Sequence, residues 1–98
     1  MTIDFHDKLV FITGGSSGIG LALAKHFAAR GANVWIAARR IDQLLDAQAQ
    51  IQAACQNADQ TVGILQLDVA NRGQIAAVAA ELLQKAGTPD YVINSAGV

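Results

Sequence analysis

Short apolar runs alternate with segments of helical periodicity along the whole of this 98-residue chain. Runs typical of buried strands lie at residues 9–12, 33–38, 62–67 and 91–94, the third of them weakened by Gly63. Because each intervening segment is long enough to be a crossover helix, neighbouring strands must run parallel. The pattern predicts an α/β fold, β-α-β-α-β-α-β, with a doubly wound parallel sheet in strand order 3-2-1-4.

Capping residues mark the ends of the predicted helices. The first helix, residues 18–30, is followed by Gly31, which can adopt a left-handed C-terminal cap. The second is predicted to open at Asp42, and the third, residues 71–86, has Asn71 as its N-cap. Right-handed crossovers then place the first two helices on one face of the sheet and the third on the other.

The same topology leaves the last predicted strand, residues 91–94, at an open edge of the sheet beside a half-covered face. That strand carries neither a charge nor a proline to discourage pairing with another chain. An exposed apolar area of this kind marks an association surface or an aggregation hazard. We therefore expect the isolated chain to self-associate or to be poorly stable.

Composition and charge exclude several classes of protein. Hydrophobic residues make up 52% and charged residues 15%, which excludes intrinsic disorder, and the net charge of −1 gives no electrostatic basis for nucleic-acid binding. A single cysteine, Cys55, excludes an intramolecular disulfide, and the spacing of His6 and His26 does not suit a metal. The longest uncharged stretch, residues 9–24, is too short and too rich in glycine to span a bilayer. An N-terminus with acids where a secretion signal has bases predicts a cytoplasmic protein.

A glycine-rich turn, residues 13–20, joins the first predicted strand to the first helix. Gly14 permits the sharp turn, Gly18 lets the backbone approach a pyrophosphate without a Cβ in the way, and Gly20 lets the helix pack closely on the strand. The N–H groups and positive dipole at the helix start are suited to hold phosphates. Two hydroxyl groups add donors: Ser16 and Ser17.

A glycine-rich turn in this position has two alternatives to a dinucleotide site. A P-loop needs Gly-Lys-Ser/Thr at its end, whereas Leu21 follows Gly20 here, so a P-loop is excluded. A glycine turn without a ligand is the other alternative. A strand before the turn, a helix after it and a βαβ unit around it favour the dinucleotide site.

Two arginines follow the second predicted strand. A site that prefers NAD has a carboxylate about 20 residues beyond the glycines, where it bonds the adenosine ribose. Arg39 and Arg40 occupy that place here, and a guanidinium group binds phosphate bidentately. The pair predicts NADP(H) with its 2′-phosphate at these residues; the alternative is a solvated pair of loop charges.

Three motifs together resemble the short-chain dehydrogenase/reductase family. They are TGGSSGIG at 13–20, Asp-Val at 68–69 and Asn-Ser-Ala-Gly at 94–97, in which Ser95 departs from the commoner Asn-Asn-Ala-Gly. The resemblance covers the chain, although family members usually run to about 250 residues, a single-domain length. It implies part of a Rossmann-type fold that reduces a ketone with NADP(H). Within the family, GGSSGIG, Ala38-Arg39 and Asn-x-Ala-Gly most resemble the corresponding segments of 3-ketodihydrosphingosine reductases, which implies reduction of 3-ketosphinganine to sphinganine.

The resemblance also implies roles for individual residues. Asp68 would hydrogen-bond the adenine amino group with Val69 beside the ring, although an acid there can instead cap the next helix. Asn94, Ala96 and Gly97 would lie under the cofactor. The residues implied to line the pyrophosphate and the adjacent ribose are Gly14, Ser16, Ser17, Gly18, Ile19 and Gly20.

The catalytic residues of the family have no counterpart in this chain. The family uses a Ser and a Tyr-x-x-x-Lys motif, in which the Tyr gives its proton to the carbonyl oxygen. Tyr91 is the one tyrosine, and Ser95 rather than lysine lies four residues later. We therefore expect residues 1–98 to be the N-terminal NADP(H)-binding part of a single domain, inactive alone, with Tyr91 a packing residue. The alternative function is a non-catalytic nucleotide-binding or interaction module.

Overall fold

The computed structural model describes residues 4–68 and 70–95. Its strands form a parallel sheet in the order β3-β2-β1-β4, which confirms the predicted topology. The elements in chain order are β1 (Leu9–Thr13), α1 (Gly18–Ala28), β2 (Asn33–Ala38), α2 (Ile41–Ala54), β3 (Val62–Gln66), α3 (Arg72–Lys85) and β4 (Tyr91–Asn94).

The strand register divides the apolar side chains between the two faces of the sheet. On β1, Val10 and Ile12 belong to one buried cluster, and Leu9 and Phe11 belong to the other. The first cluster includes Ala24 and Ala28 of α1 and Leu44, Ala47 and Ile51 of α2; the second includes Val78 and Leu82 of α3. The prediction that α1 and α2 share one face and α3 covers the other is therefore confirmed.

Backbone geometry explains where the first two helices begin and end. Gly31 has φ +95°, and the hydrogen bonds from Gly31 N to Ala28 O and from Ala32 N to Phe27 O close the predicted left-handed cap. These bonds end α1 at Ala28, two residues before the predicted end. The second helix begins at Ile41 rather than Asp42, because Arg40 adopts the extended N-cap conformation.

The third strand forms despite the glycine within it, and a tertiary contact explains the glycine. Gly63 lies opposite Trp35 in the register, and a Cβ at position 63 would overlap the indole ring. Trp35 is buried, with a relative exposure of 8%. Gly63 therefore makes room for a core tryptophan and does not interrupt the strand.

The edge strand β4 is covered on one face only. Tyr91 packs edge-on against Phe5 at 5.6 Å and stacks on Phe27 at 6.4 Å between ring centroids, as expected of a packing residue. On the opposite face Val92 is 63% exposed. None of the helices in residues 4–68 and 70–95 has the length and apolar character needed to cross a membrane.

Candidate functional site

The carboxyl end of the parallel sheet brings together the sequence motifs. The turn after β1, the loop after β2, the end of β3 and the end of β4 all open at this edge, because parallel strands share one direction. The edge of a doubly wound sheet at which the strand order reverses is the usual ligand position in such folds. Here the reversal lies between β1 and β4, beside the glycine turn.

Two glycines of the turn adopt backbone conformations that other residues disfavour. Gly14 has φ +77° and Gly18 has φ +57°. A Cβ at Gly18 would meet no atom within 4 Å, so open space lies above it. Gly14 therefore makes the predicted sharp turn in a left-handed conformation, and Gly18 borders open space.

The other two glycines of the turn allow close packing. A Cβ at Gly20 would overlap the Gly14 carbonyl oxygen, so α1 lies directly against the end of β1. A Cβ at Gly15 would lie 2.5 Å from Cγ2 of Ile36 on β2. Gly15 has no role that the sequence alone predicts, because its neighbour Ile36 belongs to a strand that follows later in the chain.

The amino end of α1 presents free donors to this space. Ser17 holds the N-cap position in extended conformation, and within the described part of the chain its side chain makes no capping hydrogen bond. The first turn of α1, Gly-Ile-Gly-Leu, is uncharged, so nothing there neutralises the positive end of the helix dipole. Ile19 lies beside it with 73% of its surface exposed. This arrangement is suited to bind an anion.

Hydrogen bonds tie the end of β4 to the glycine turn. The Thr13 hydroxyl donates to Asn94 Oδ1 at 2.8 Å. The Ser95 hydroxyl donates to the Thr13 carbonyl at 2.8 Å and lies 3.3 Å from the Gly14 carbonyl. Ser95, the residue that departs from the commoner motif, therefore holds the end of β4 against the glycine turn.

The two arginines differ in what holds them. Arg40 Nη2 forms an ion pair with Asp42 Oδ2 at 3.1 Å, and this hydrogen bond lowers the pKa of the Asp42 carboxyl below its usual range. The Arg39 backbone carbonyl accepts a hydrogen bond from Gln66 Nε2 at 2.9 Å. Both arginines are exposed. Arg39 is held through its backbone, and Arg40 through its charge.

Asp68 caps a turn as well as lining the site. Its Oδ1 accepts from Ala70 N at 3.0 Å, and its own N–H donates to Gln74 Oε1 at 2.9 Å. The adjacent helix α3 is capped by Asn71, whose Oδ1 accepts from Gln74 N, as predicted. Asp68 thus holds the turn before α3, beside its place in the groove, while Asn71, and not Asp68, caps the helix.

Three adjoining cavities form one groove along this edge. A cavity of about 580 Å³ lies over the glycine turn, one of about 400 Å³ lies between the turn and the arginines, and one of about 550 Å³ lies beyond them. Gly14 and Ser16 are shared by the first two, and Arg39, Arg40 and Asp68 by the last two. The predicted residues that line the groove are Gly14, Ser16, Ser17, Gly18, Ile19, Gly20, Arg39, Arg40, Asp68 and Asn94.

Some lining residues were missed and some predicted ones are not described. Gln43, Gln66 and Gln74 line the groove and were not predicted. Of these three, Gln66 could have been predicted from the sequence, because it is a polar residue at the carboxyl end of a buried strand. Three predicted residues lie outside the described ranges: Val69, Ala96 and Gly97.

Titratable residues also lie outside the groove. Within residues 4–68 and 70–95, no three His, Cys, Asp or Glu side chains cluster as metal ligands would. Cys55 is a free, half-buried thiol whose pKa is raised by burial. A raised pKa disfavours the reactive thiolate.

Comparison with known proteins assigns the family. The family model described as short chain dehydrogenase matches residues 8–98. Dehydrogenase/reductase SDR family member 7B of Mus musculus is 36% identical over 92 residues, which cover 94% of this chain and 28% of that protein.

Solved structures share the fold over nearly the whole chain. The L-sorbose reductase of Gluconobacter frateurii, complexed with NADPH and L-sorbose, superposes with a TM-score of 0.89 at 34% identity and covers 100% of this chain and 36% of that one. A variant of actinorhodin polyketide ketoreductase with NADPH has a TM-score of 0.84 at 26% identity, covering 94% and 34%. The chain thus spans about a third of the length of these relatives. With its glycine turn, its groove and its sheet order, the chain belongs to the short-chain dehydrogenase/reductase family of oxidoreductases.

Proposed function

We propose that this chain binds NADP(H) and is the cofactor-binding part of an oxidoreductase that reduces a ketone to an alcohol. The observation that carries the proposal is the continuous groove, which runs from the uncharged amino end of α1 to the arginines after β2. A dinucleotide phosphate is an elongated polyanion, and the groove offers an anion-binding element at each end of it. Two of the similar solved structures contain NADPH.

Different residues of the groove would bind different parts of the cofactor. The N–H groups of the glycine turn and the Ser16 and Ser17 hydroxyls would hold the pyrophosphate, because the open space above Gly18 admits it without a steric conflict. Arg39 would take most of the 2′-phosphate charge, since within the described residues it forms no ion pair, whereas Arg40 is already paired with Asp42. Asp68 would contribute to the adenine end beside Gln66 and Gln74.

Asn94 extends the site towards the nicotinamide end. It lies at the end of β4, on the wall of the cavity over the glycine turn, and its side chain is oriented by the Thr13 hydroxyl. Ala96 and Gly97, which follow it, and Val69 remain proposed contacts on the strength of the family motif alone. When bound, NADPH supplies the hydride that reduces a carbonyl carbon.

We further propose that residues 1–98 are the N-terminal part of a single Rossmann-type domain and do not catalyse reduction alone. The support is the chemistry of the one tyrosine. Tyr91 lies within the aromatic group of Phe5 and Phe27, away from the groove, and the residue four positions later is Ser95. Under this proposal the proton donor for the carbonyl oxygen would lie in another part of the domain.

A 3-keto long-chain base such as 3-ketosphinganine is the finer proposal for the substrate. Its support is the resemblance of the glycine turn, of Ala38-Arg39 and of residues 94–97 to the reductases of that compound. Oxidation of NADPH by the catalytically complete protein, compared between 3-ketosphinganine and L-sorbose, tests it. Faster turnover of L-sorbose would contradict this choice of substrate.

A second candidate function is a non-catalytic module that associates through its sheet edge. The observation that favours it is the exposure of Val92 on β4, an edge strand without a protecting charge. Under either function we propose that isolated copies of the chain associate through this edge. Measurable ketone-dependent NADPH oxidation by the complete protein would rule out the non-catalytic function.

Calorimetric titration of the chain with NADPH and NADH tests the proposed cofactor. A phosphate contact to a guanidinium is worth roughly 1.5–3 kcal/mol, so NADPH is expected to bind about 10- to 100-fold more tightly. Equal affinities would contradict the assignment of NADP(H).

A further inference from the structure

The ion pair between Arg40 and Asp42 lies where a ligand phosphate would compete for it. Arg40 borders both cavities at the arginine end of the groove. Its Nη2 is 3.1 Å from Asp42 Oδ2, and both side chains are about two-thirds exposed, at 64% and 67%. An exposed pair of this kind is weak and exchanges readily with solvent ions. A bound phosphate can therefore displace the carboxylate.

Asp42 stays charged in the unliganded protein. It is the second residue of α2, where the helix dipole favours a negative charge. An exposed aspartate is ionised at neutral pH, and the hydrogen bond from Arg40 lowers the pKa of its carboxyl further. A phosphate monoester carries about −1.5 to −2 charge at pH 7, so the two anions repel each other across the same guanidinium.

We propose that Asp42 weakens binding of the 2′-phosphate by competing with it for Arg40 and so limits the preference for NADP(H). The inference rests on the proposed function, because it requires the phosphate at this end of the groove. It assigns unequal parts to the two arginines. Arg39 supplies the permanent contact, and Arg40 contributes only to the extent that Asp42 releases it.

The experiment isolates the phosphate with a pair of small probes. Adenosine 2′,5′-bisphosphate carries the 2′-phosphate and AMP lacks it, and their dissociation constants are measured by calorimetry. Asp42→Asn removes the competing charge and retains the side-chain shape. Asp46→Asn is the matched control, because Asp46 lies one turn later on α2 and is hydrogen-bonded to Gln50 rather than to Arg40.

The expected result is a gain confined to one probe and one variant. Since an exposed pair contributes little, Asp42→Asn should bind the bisphosphate about two- to fivefold more tightly and bind AMP unchanged. Asp46→Asn should match the wild type for both probes. In an Arg40→Ala background the Asp42→Asn gain should disappear, because no guanidinium remains to be released.

Each contrary outcome has a distinct meaning. Unchanged or weaker bisphosphate binding by Asp42→Asn, or the same gain in Asp46→Asn, overturns the inference while leaving the NADP(H) proposal intact. A gain that survives in Arg40→Ala overturns the competition at Arg40. A wild-type chain that binds the bisphosphate no better than AMP overturns the phosphate site itself, and the inference with it.

Discussion

The Ser95 hydroxyl donates a hydrogen bond to the backbone carbonyl of Thr13 at 2.8 Å, across 82 positions of sequence. The Ser95 N–H donates to the same oxygen at 3.0 Å. Two donors from the end of β4 thus hold the last carbonyl of β1, one residue before Gly14 turns with φ +77°. The end of β4 therefore supports the geometry of the glycine turn.

Removing that hydroxyl should destabilise the fold. Ser95→Ala is expected to lower the free energy of unfolding by about 1 kcal/mol, the usual net worth of a hydrogen bond. Urea unfolding followed by circular dichroism measures the change. Ser17→Ala is the control, because its hydroxyl makes no capping hydrogen bond within the described residues. An equal loss of unfolding free energy in both variants would argue against a stabilising role for the Ser95 hydrogen bond.

Arg39 should determine the preference between the two nicotinamide cofactors. Arg39→Ala is expected to weaken NADPH binding by about 10- to 100-fold with little change for NADH, because only NADPH carries the 2′-phosphate. Lys25→Ala, an exposed charge in the last turn of α1, serves as the control and should leave both affinities unchanged. Retention of the NADPH preference in Arg39→Ala would exclude Arg39 as the phosphate ligand.

Gly18 should be needed for binding more than for folding. A Cβ there meets no protein atom within 4 Å, so the side chain of Gly18→Val would extend into the space proposed for the pyrophosphate. The φ of +57° adds backbone strain of roughly 1–2 kcal/mol, which the fold must tolerate. We expect NADPH binding to be abolished with helical content mostly intact, measured by calorimetry and circular dichroism.

A second glycine gives the contrast for that experiment. Gly20→Ala places its Cβ against the Gly14 carbonyl and should disturb folding itself. Unchanged NADPH binding by Gly18→Val would show that the turn is not the phosphate site.

The exposed edge strand should make the isolated chain associate. Val92→Lys places a charge on the uncovered face of β4 and is expected to shift sedimentation towards the monomer, because an edge lysine opposes strand pairing. Leu45→Lys, at a 54% exposed position on α2, should not have this effect. A wild-type chain that sediments as a monodisperse monomer and melts cooperatively would contradict the prediction.

The isolated chain should also oxidise no NADPH with any ketone. Turnover above background would reveal a proton donor outside the proposed scheme.

Local pattern was enough to predict the elements, their order and the layers. The apolar runs, the helical periodicity before Gly31 and the cap at Asn71 each act within a few residues, so they can be identified without knowledge of any tertiary contact. The glycine turn was predicted from the spacing of its own glycines, and the two arginines from their position about 20 residues beyond them. The structure brings them to one edge of the sheet, because parallel strands joined by helices all end on the same side.

The sequence alone therefore determined an α/β chain with a glycine turn and a basic loop at one edge of its sheet. Only the tertiary structure decided how these parts hold one another. Gly63 makes room for Trp35 because the register places them opposite each other, and Gln66 reaches the Arg39 carbonyl from 27 positions away. Ser95 reaches Thr13 across 82 positions. Such contacts depend on strand register and on the distance between packed elements, which local periodicity does not encode.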